Sequence, residues 1–146
     1  MIMKLMPDAT LSTDIIVGFP SESEDSFNKT ADLMRELKFD MAYISKYSPR
    51  RGTASFKLKD DVSFSEKNRR QRALTEILKE TALDKNRELV GKELTALVQD
   101  QVDGLLIGKT KNYKTVKFSG PKELIGSFVK IKIKEALPWG LSAIIQ

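Results

Sequence analysis

The sequence predicts an α/β segment followed by an all-β one, the second a small five-stranded OB-like β-barrel. Two observations carry this. A strand–helix–strand pattern occupies the first third of the chain, ending near Tyr47. From Lys92 onward the apolar spacing changes from the helical period to a period of two, in five short runs separated by turn residues.

Taken in order, Ser12-Thr13-Asp14-Ile15-Ile16-Val17-Gly18 is a nearly continuous β-branched apolar run that ends in Gly18-Phe19-Pro20. Such a run predicts a parallel strand buried on both faces. Ser21 and Glu24 have capping-box spacing and open a helix to about Lys38, with Phe27, Ala31, Met34 and Leu37 on one face. Met41–Tyr47 is the next strand, stopped by Ser48-Pro49, and completes a right-handed βαβ unit. Two strands do not make a stable open sheet, so this unit calls for neighbours.

Arg50–Ser55 forms a loop at the second strand's C-terminal end, where α/β sheets and barrels bind ligands. Phe56–Phe64 reads as a linker with few anchors. Ser63 or Ser65 caps a long helix to about Leu89, with Ser63 and Glu66 as a second capping box and Leu74, Ile77, Leu78 and Thr81 as its apolar stripe. Lys67, Arg69, Arg70 and Arg72 crowd its first turns, against the helix dipole. They read as a solvated helix face, or else as a phosphate-facing patch. Gly91 suits the C-terminal stop. The expected domains are therefore 1–64, a connecting helix 65–91 and the barrel 92–146.

In the barrel, Leu94–Gln99, Leu105–Ile107, Val116–Phe118, Phe128–Lys134 and Leu141–Ile145 read as strands, with Asp103-Gly104 and Ser119-Gly120-Pro121 as turns. The run Phe128–Lys134 alternates apolar residues with lysines, so one face is buried and one basic. Between the second and third strands, Lys109, Lys111, Lys114 and Lys117 surround Asn112 and Tyr113 on a hairpin tip. Cation, amide and aromatic face together can hold a nucleic-acid backbone and stack an unpaired base. A solvated hairpin whose lysines keep an edge strand soluble fits the same residues.

Charge leans toward the first of these. The net charge is +5. Residues Met1–Asp84 carry 14 basic and 14 acidic side chains, and Lys85–Gln146 carry 11 and 6. The excess is therefore confined to the barrel segment, which points to a polyanion partner. Cysteine and histidine are both absent, which excludes disulfides, thiol nucleophiles, cysteine-held clusters and imidazole chemistry within this sequence. No apolar run approaches the roughly 20 residues that span a bilayer, and Met1–Asp8 is too short and too soon acidic for a signal peptide. A cytoplasmic binding module or fragment with no membrane partner is expected.

Three motifs carry a family resemblance: Thr13-Asp14-Ile15-Ile16-Val17-Gly18-Phe19-Pro20; Lys46-Tyr47-Ser48-Pro49-Arg50 with Gly52-Thr53; and Gly108, Thr110 and Asn112 leading to Val116 and Phe118. In order and spacing they resemble the radical-SAM methylthiotransferases, from about Leu11 to the end. The resemblance implies a partial radical-SAM (βα) barrel remnant followed by a TRAM barrel, in a family that methylthiolates a tRNA adenosine beside the anticodon, or a ribosomal protein. It implies that Ile16 and Gly18 line the adenine pocket of S-adenosylmethionine and that Arg50 meets substrate at the barrel mouth. It implies tRNA as partner, held by Lys109, Lys111, Asn112, Tyr113, Lys114 and Lys117, with Ser-Pro-Arg favouring the tRNA branch over the ribosomal-protein branch. The family's iron–sulfur clusters have no cysteine ligands here. The expectation is that this chain alone binds no cofactor, is not active alone, and answers to a separately encoded or missing N-terminal half. A non-catalytic protein-binding module is the remaining alternative. Two departures stand out: Lys109 replaces the usual arginine, which loses the bidentate fork, and Arg51 replaces a proline.

Overall fold

A computed structural model describes Leu5, Met6 and residues 9–146; most of the Met1–Asp8 segment lies outside the described residues. The chain divides into two compact units. One is Leu11–Thr81, and the other comprises Ala82–Gln146 with the described residues up to Thr10. Among the described residues, no helix is long and apolar enough to cross a membrane.

In the first unit, β1 (Ser12–Val17), α1 (Glu24–Leu37) and β2 (Met41–Lys46) form the expected βαβ, with β1 and β2 parallel from Ser12↔Met41 to Val17↔Lys46. Its core is Val17, Phe27, Ala31, Met34, Ala42, Leu74, Ile77 and Leu78, contributed by both strands, α1 and the first part of α2 (Phe64–Arg87). Burial of β1 on both faces does not occur. Ile16 and Tyr43 are exposed on the far side of the two-stranded sheet. Leu37 is also exposed, because α1 ends there with Lys38 in the left-handed region at φ 47°.

The α1 cap is Ser23, whose Oγ accepts from Ser26 N at 3.1 Å, and not a Ser21–Glu24 box. Ser21 is instead turned to φ 68°, and its N–H donates to Asp61 Oδ1 at 2.8 Å. The α2 cap is as expected on the Ser63 side, with Glu66 N donating to Ser63 Oγ at 3.2 Å. The Glu66 carboxylate, however, turns away from the cap to bind arginines.

That turn accounts for half of the basic start of α2: Arg69 and Arg72 are exposed, as a solvated face requires, but the other two are not. Lys67 and Arg70 are buried. Lys67 Nζ donates to both Asp60 carboxylate oxygens, at 2.6 and 2.7 Å, and to Tyr47 O at 3.3 Å, while lying over the Tyr47 ring. Arg70 bridges Glu22 Oε2 and Glu66 Oε1, each at 2.7 Å, and also donates to Glu22 O. Arg69, half in solvent, ties Glu24 to Glu66. The segment before α2 is therefore anchored through Asp60 and Asp61 and through Tyr47 OH, which donates to Ser55 O at 3.0 Å. A linker looks unanchored only until its carboxylates meet buried cations.

In the second unit, β3 (Glu93–Val102), β4 (Leu105–Thr110), β5 (Thr115–Phe118), β6 (Phe128–Leu137) and β7 (Gly140–Ile145) close into a barrel in the order β3-β4-β5-β7-β6, with β6 returning to β3. All pairs are antiparallel except β5 with β7. The two ten-residue strands, β3 and β6, run longer than their apolar patterns. Each shifts register once, between Val98 and Asp100 and between Ile133 and Glu135. Such bulges bend a strand sharply enough to serve two neighbours and close so small a barrel. The interior is Ala96, Val98, Leu106, Val116, Phe118, Val129, Ile131, Ile133, Leu141 and Ala143.

Candidate nucleic-acid interface

The β4–β5 hairpin turns over Lys111-Asn112-Tyr113. Tyr113 N donates to Thr110 O at 2.9 Å, Thr110 N to Lys114 O at 3.0 Å, and Lys114 N to Thr110 Oγ1 at 3.2 Å. Thr110 itself is buried and pins both ends of the loop. Tyr113 adopts φ 57°, the left-handed position that a three-residue hairpin loop normally fills with glycine. Its side chain is 83% exposed. A bulky residue held in that region costs on the order of 1–3 kcal/mol. An exposed ring kept at that cost gives nothing back to the core.

The sequence-predicted residues gather around this tip to different degrees. Lys111, Asn112, Tyr113 and Lys117 are exposed. Thr10 Oγ1 donates to Asn112 O at 3.4 Å. Lys109 is half-buried, and its Nζ donates to Thr115 Oγ1 at 2.8 Å, which holds the ammonium on the outer wall with two donors to spare. Lys114 is half-buried with its ammonium covered from solvent. Lys117 stands on the outside of β5, between the interior residues Val116 and Phe118.

Three further residues shape this region and were not singled out by the sequence. Gly140 lies against β5, and a Cβ added there would come within 2.8 Å of Thr115 O. Trp139, half exposed, precedes it and so sits in the turn next to the hairpin's return strand. Asn86, fully buried near the end of α2, donates Nδ2 to Leu137 O at 2.7 Å and braces that turn. An asparagine in the last turns of a helix, with a Pro-Trp-Gly turn elsewhere, offers no local signal that the two meet.

The other predicted residues lie in the first unit. Ile16 is 56% exposed on the open face of the β1–β2 sheet. Gly18 has φ 70°, and a Cβ there would meet Lys67 Cγ at 2.3 Å, so packing of the buried lysine already requires glycine. Arg50 is exposed, in a loop ordered by Thr53 Oγ1 donating to Arg50 O at 2.8 Å despite the absence of a proline at position 51. Among the described residues no cluster of His, Cys, Asp or Glu could hold a metal ion.

Residues 87–145 match the TRAM domain family. Over 99% of its length the chain is 41% identical to a tRNA-2-methylthio-N(6)-dimethylallyladenosine synthase of Bacillus velezensis. Over 96% of its length it is 43% identical to proteins of the same description from Bacillus licheniformis and Bacillus subtilis. The chain spans 28–29% of the length of these relatives and is similar to their C-terminal region.

Proposed function

We propose that this chain, a TRAM domain preceded by a short α/β unit and similar to the C-terminal region of tRNA-2-methylthio-N(6)-dimethylallyladenosine synthases, is the tRNA-gripping end of such a methylthiotransferase. The observation that carries the reading is the Tyr113 ring, held out at a glycine position on a lysine-rich hairpin. Lys111 and Lys117 neutralise phosphates, Lys109 reaches one from the wall, Asn112 bonds a base or ribose, and Tyr113 stacks an unpaired base of the anticodon stem-loop. The chemistry of the reaction resides in residues outside this sequence. A family cluster held by cysteines would supply the cleavage of S-adenosylmethionine. From this chain, Ile16 and Gly18 would border the adenine and Arg50 the substrate or carboxylate. A tRNA substrate implies a cytoplasmic setting.

Each phosphate contact contributes about 0.7–0.9 to the slope of log affinity against log salt. Binding of an anticodon stem-loop to the full chain is therefore expected to lose a slope of up to about 2 on Lys111→Ala with Lys117→Ala. An unchanged slope removes these lysines from the footprint, and wild-type binding that persists in high salt favours a protein partner.

Tyr113→Gly separates stability from recognition. It should raise the unfolding free energy by about 1 kcal/mol through relief of left-handed strain, while weakening stem-loop binding by about 1–3 kcal/mol through loss of stacking. Equal binding by Tyr113→Gly and wild type would leave the ring without this role.

A further inference from the structure

Phe128 opens β6 in phase with its lysines, not with its apolar residues. Val129, Ile131 and Ile133 point into the barrel; Phe128, Lys130, Lys132 and Lys134 point out. The Phe128 ring is 73% exposed, which leaves a large apolar side chain in water on a basic wall. Its neighbours follow from the strand registers. Phe128 pairs with Leu97 on β3, Leu97 with Lys109 on β4, and Lys109 with Thr115 on β5. Directly paired residues share a face, so Phe128, Leu97, Lys109 and Thr115 form one row across the outside of the barrel. At about 4.8 Å per strand the row runs roughly 14 Å around the wall, and it ends where the Tyr113 hairpin begins. Lys130 flanks Phe128 two residues along β6, opposite Thr95. Of the acidic residues on β3, Glu93 stands opposite Lys132, farther along, and the exposed Asp100 stands opposite Ile107, in the row beside this one.

We infer that Phe128 is a second base-stacking platform, and that an unpaired stretch of RNA a few nucleotides long lies along this row from Phe128 to the Tyr113 tip. This rests on the reading of the barrel as an RNA grip and extends it to a defined track. A ring at each end takes the π-face of a base, the half-buried Leu97 lines the floor between them, and Lys109 and Lys130 meet the backbone. Stacking platforms joined by a cationic groove suit single strands, because bases inside a duplex already stack on one another.

The test uses the full chain with two probes, an unstructured oligoribonucleotide and an RNA duplex of equal length. Phe128→Ala should weaken oligonucleotide binding about 5- to 150-fold, the equivalent of one stacked base. The salt slope should stay unchanged, since no charge is removed, and duplex binding should barely move. Phe128→Trp should retain wild-type affinity. The exposed position leaves the core intact, and an unaltered melting temperature verifies this. Wild-type affinity in Phe128→Ala, or an equal loss on duplex, overturns the inference. If the Lys111→Ala, Lys117→Ala variant weakens binding while Phe128→Ala does not, the RNA-grip reading stands and the track fails. If the wild-type chain binds neither probe, both fail.

Discussion

Arg70→Ala is expected to destabilise the α/β unit by about 3–5 kcal/mol, the range for removing one partner of a buried ion pair. Its guanidinium is 6% exposed and binds Glu22, itself 13% exposed, and Glu66. Truncation leaves Glu22 as a carboxylate with little water to replace the arginine. It also removes the cation stacked on the Phe27 ring at 5.4 Å. Denaturant unfolding with an unchanged m value would register the loss as a lower midpoint. A change below about 1 kcal/mol would mean the pair behaves like an exposed one.

The same network predicts a pH dependence. Hydrogen bonds from Arg69 and then Arg70 hold the Glu66 carboxyl at about 2, down from the ordinary 4.5. Burial pushes the Arg70 guanidinium toward neutrality, and its bonds to Glu22 and Glu66 outweigh that and keep it charged. A carboxyl with a depressed folded pKa stabilises fully above its unfolded value. That contribution is lost as pH falls through the folded one. Stability should therefore decline between about pH 4.5 and 2, and Arg70→Ala should reduce the part of the decline due to Glu66.

Phe118→Ala is the second large effect, at about 3–5 kcal/mol. Phe118 is the largest fully enclosed side chain of the barrel, opposite Leu106 and in one core cluster with Val116, Ile131 and Leu141. A barrel of roughly 60 residues has only a few kcal/mol of net stability, so the truncation should unfold most of it. Loss of RNA binding would follow without any change to the proposed contacts. A cooperative barrel melt within a few degrees of wild type would show that the interior can collapse onto the gap.

Much of this molecule could be read before its structure. The βαβ unit, the long α2 and the five strands rest on local periodicity, which survives in any context. The tip lysines with Asn112 and Tyr113 were visible because a hairpin signal and a charge cluster coincide within a few residues. Phe128 was missed although its signal was present: it shares the even-numbered phase of Lys130, Lys132 and Lys134. Phase, not the apolar character of the ring, decides which way a strand residue points. The Ser21–Glu24 capping box fails because Ser23 stands directly before the helix and takes the cap, while Ser21 N–H donates to Asp61.

The amino-acid sequence by itself determined the order and type of elements, the confinement of excess positive charge to the barrel, and the lack of any thiol or imidazole. Tertiary structure alone decided that Lys67 turns inward to Asp60 and Arg70 to Glu22, 48 residues away, and that Phe128, Leu97 and Lys109 align on one wall. The physical reason is range. Periodicity and capping act within a few residues, while ion-pair partners and strand register bring together groups tens of residues apart.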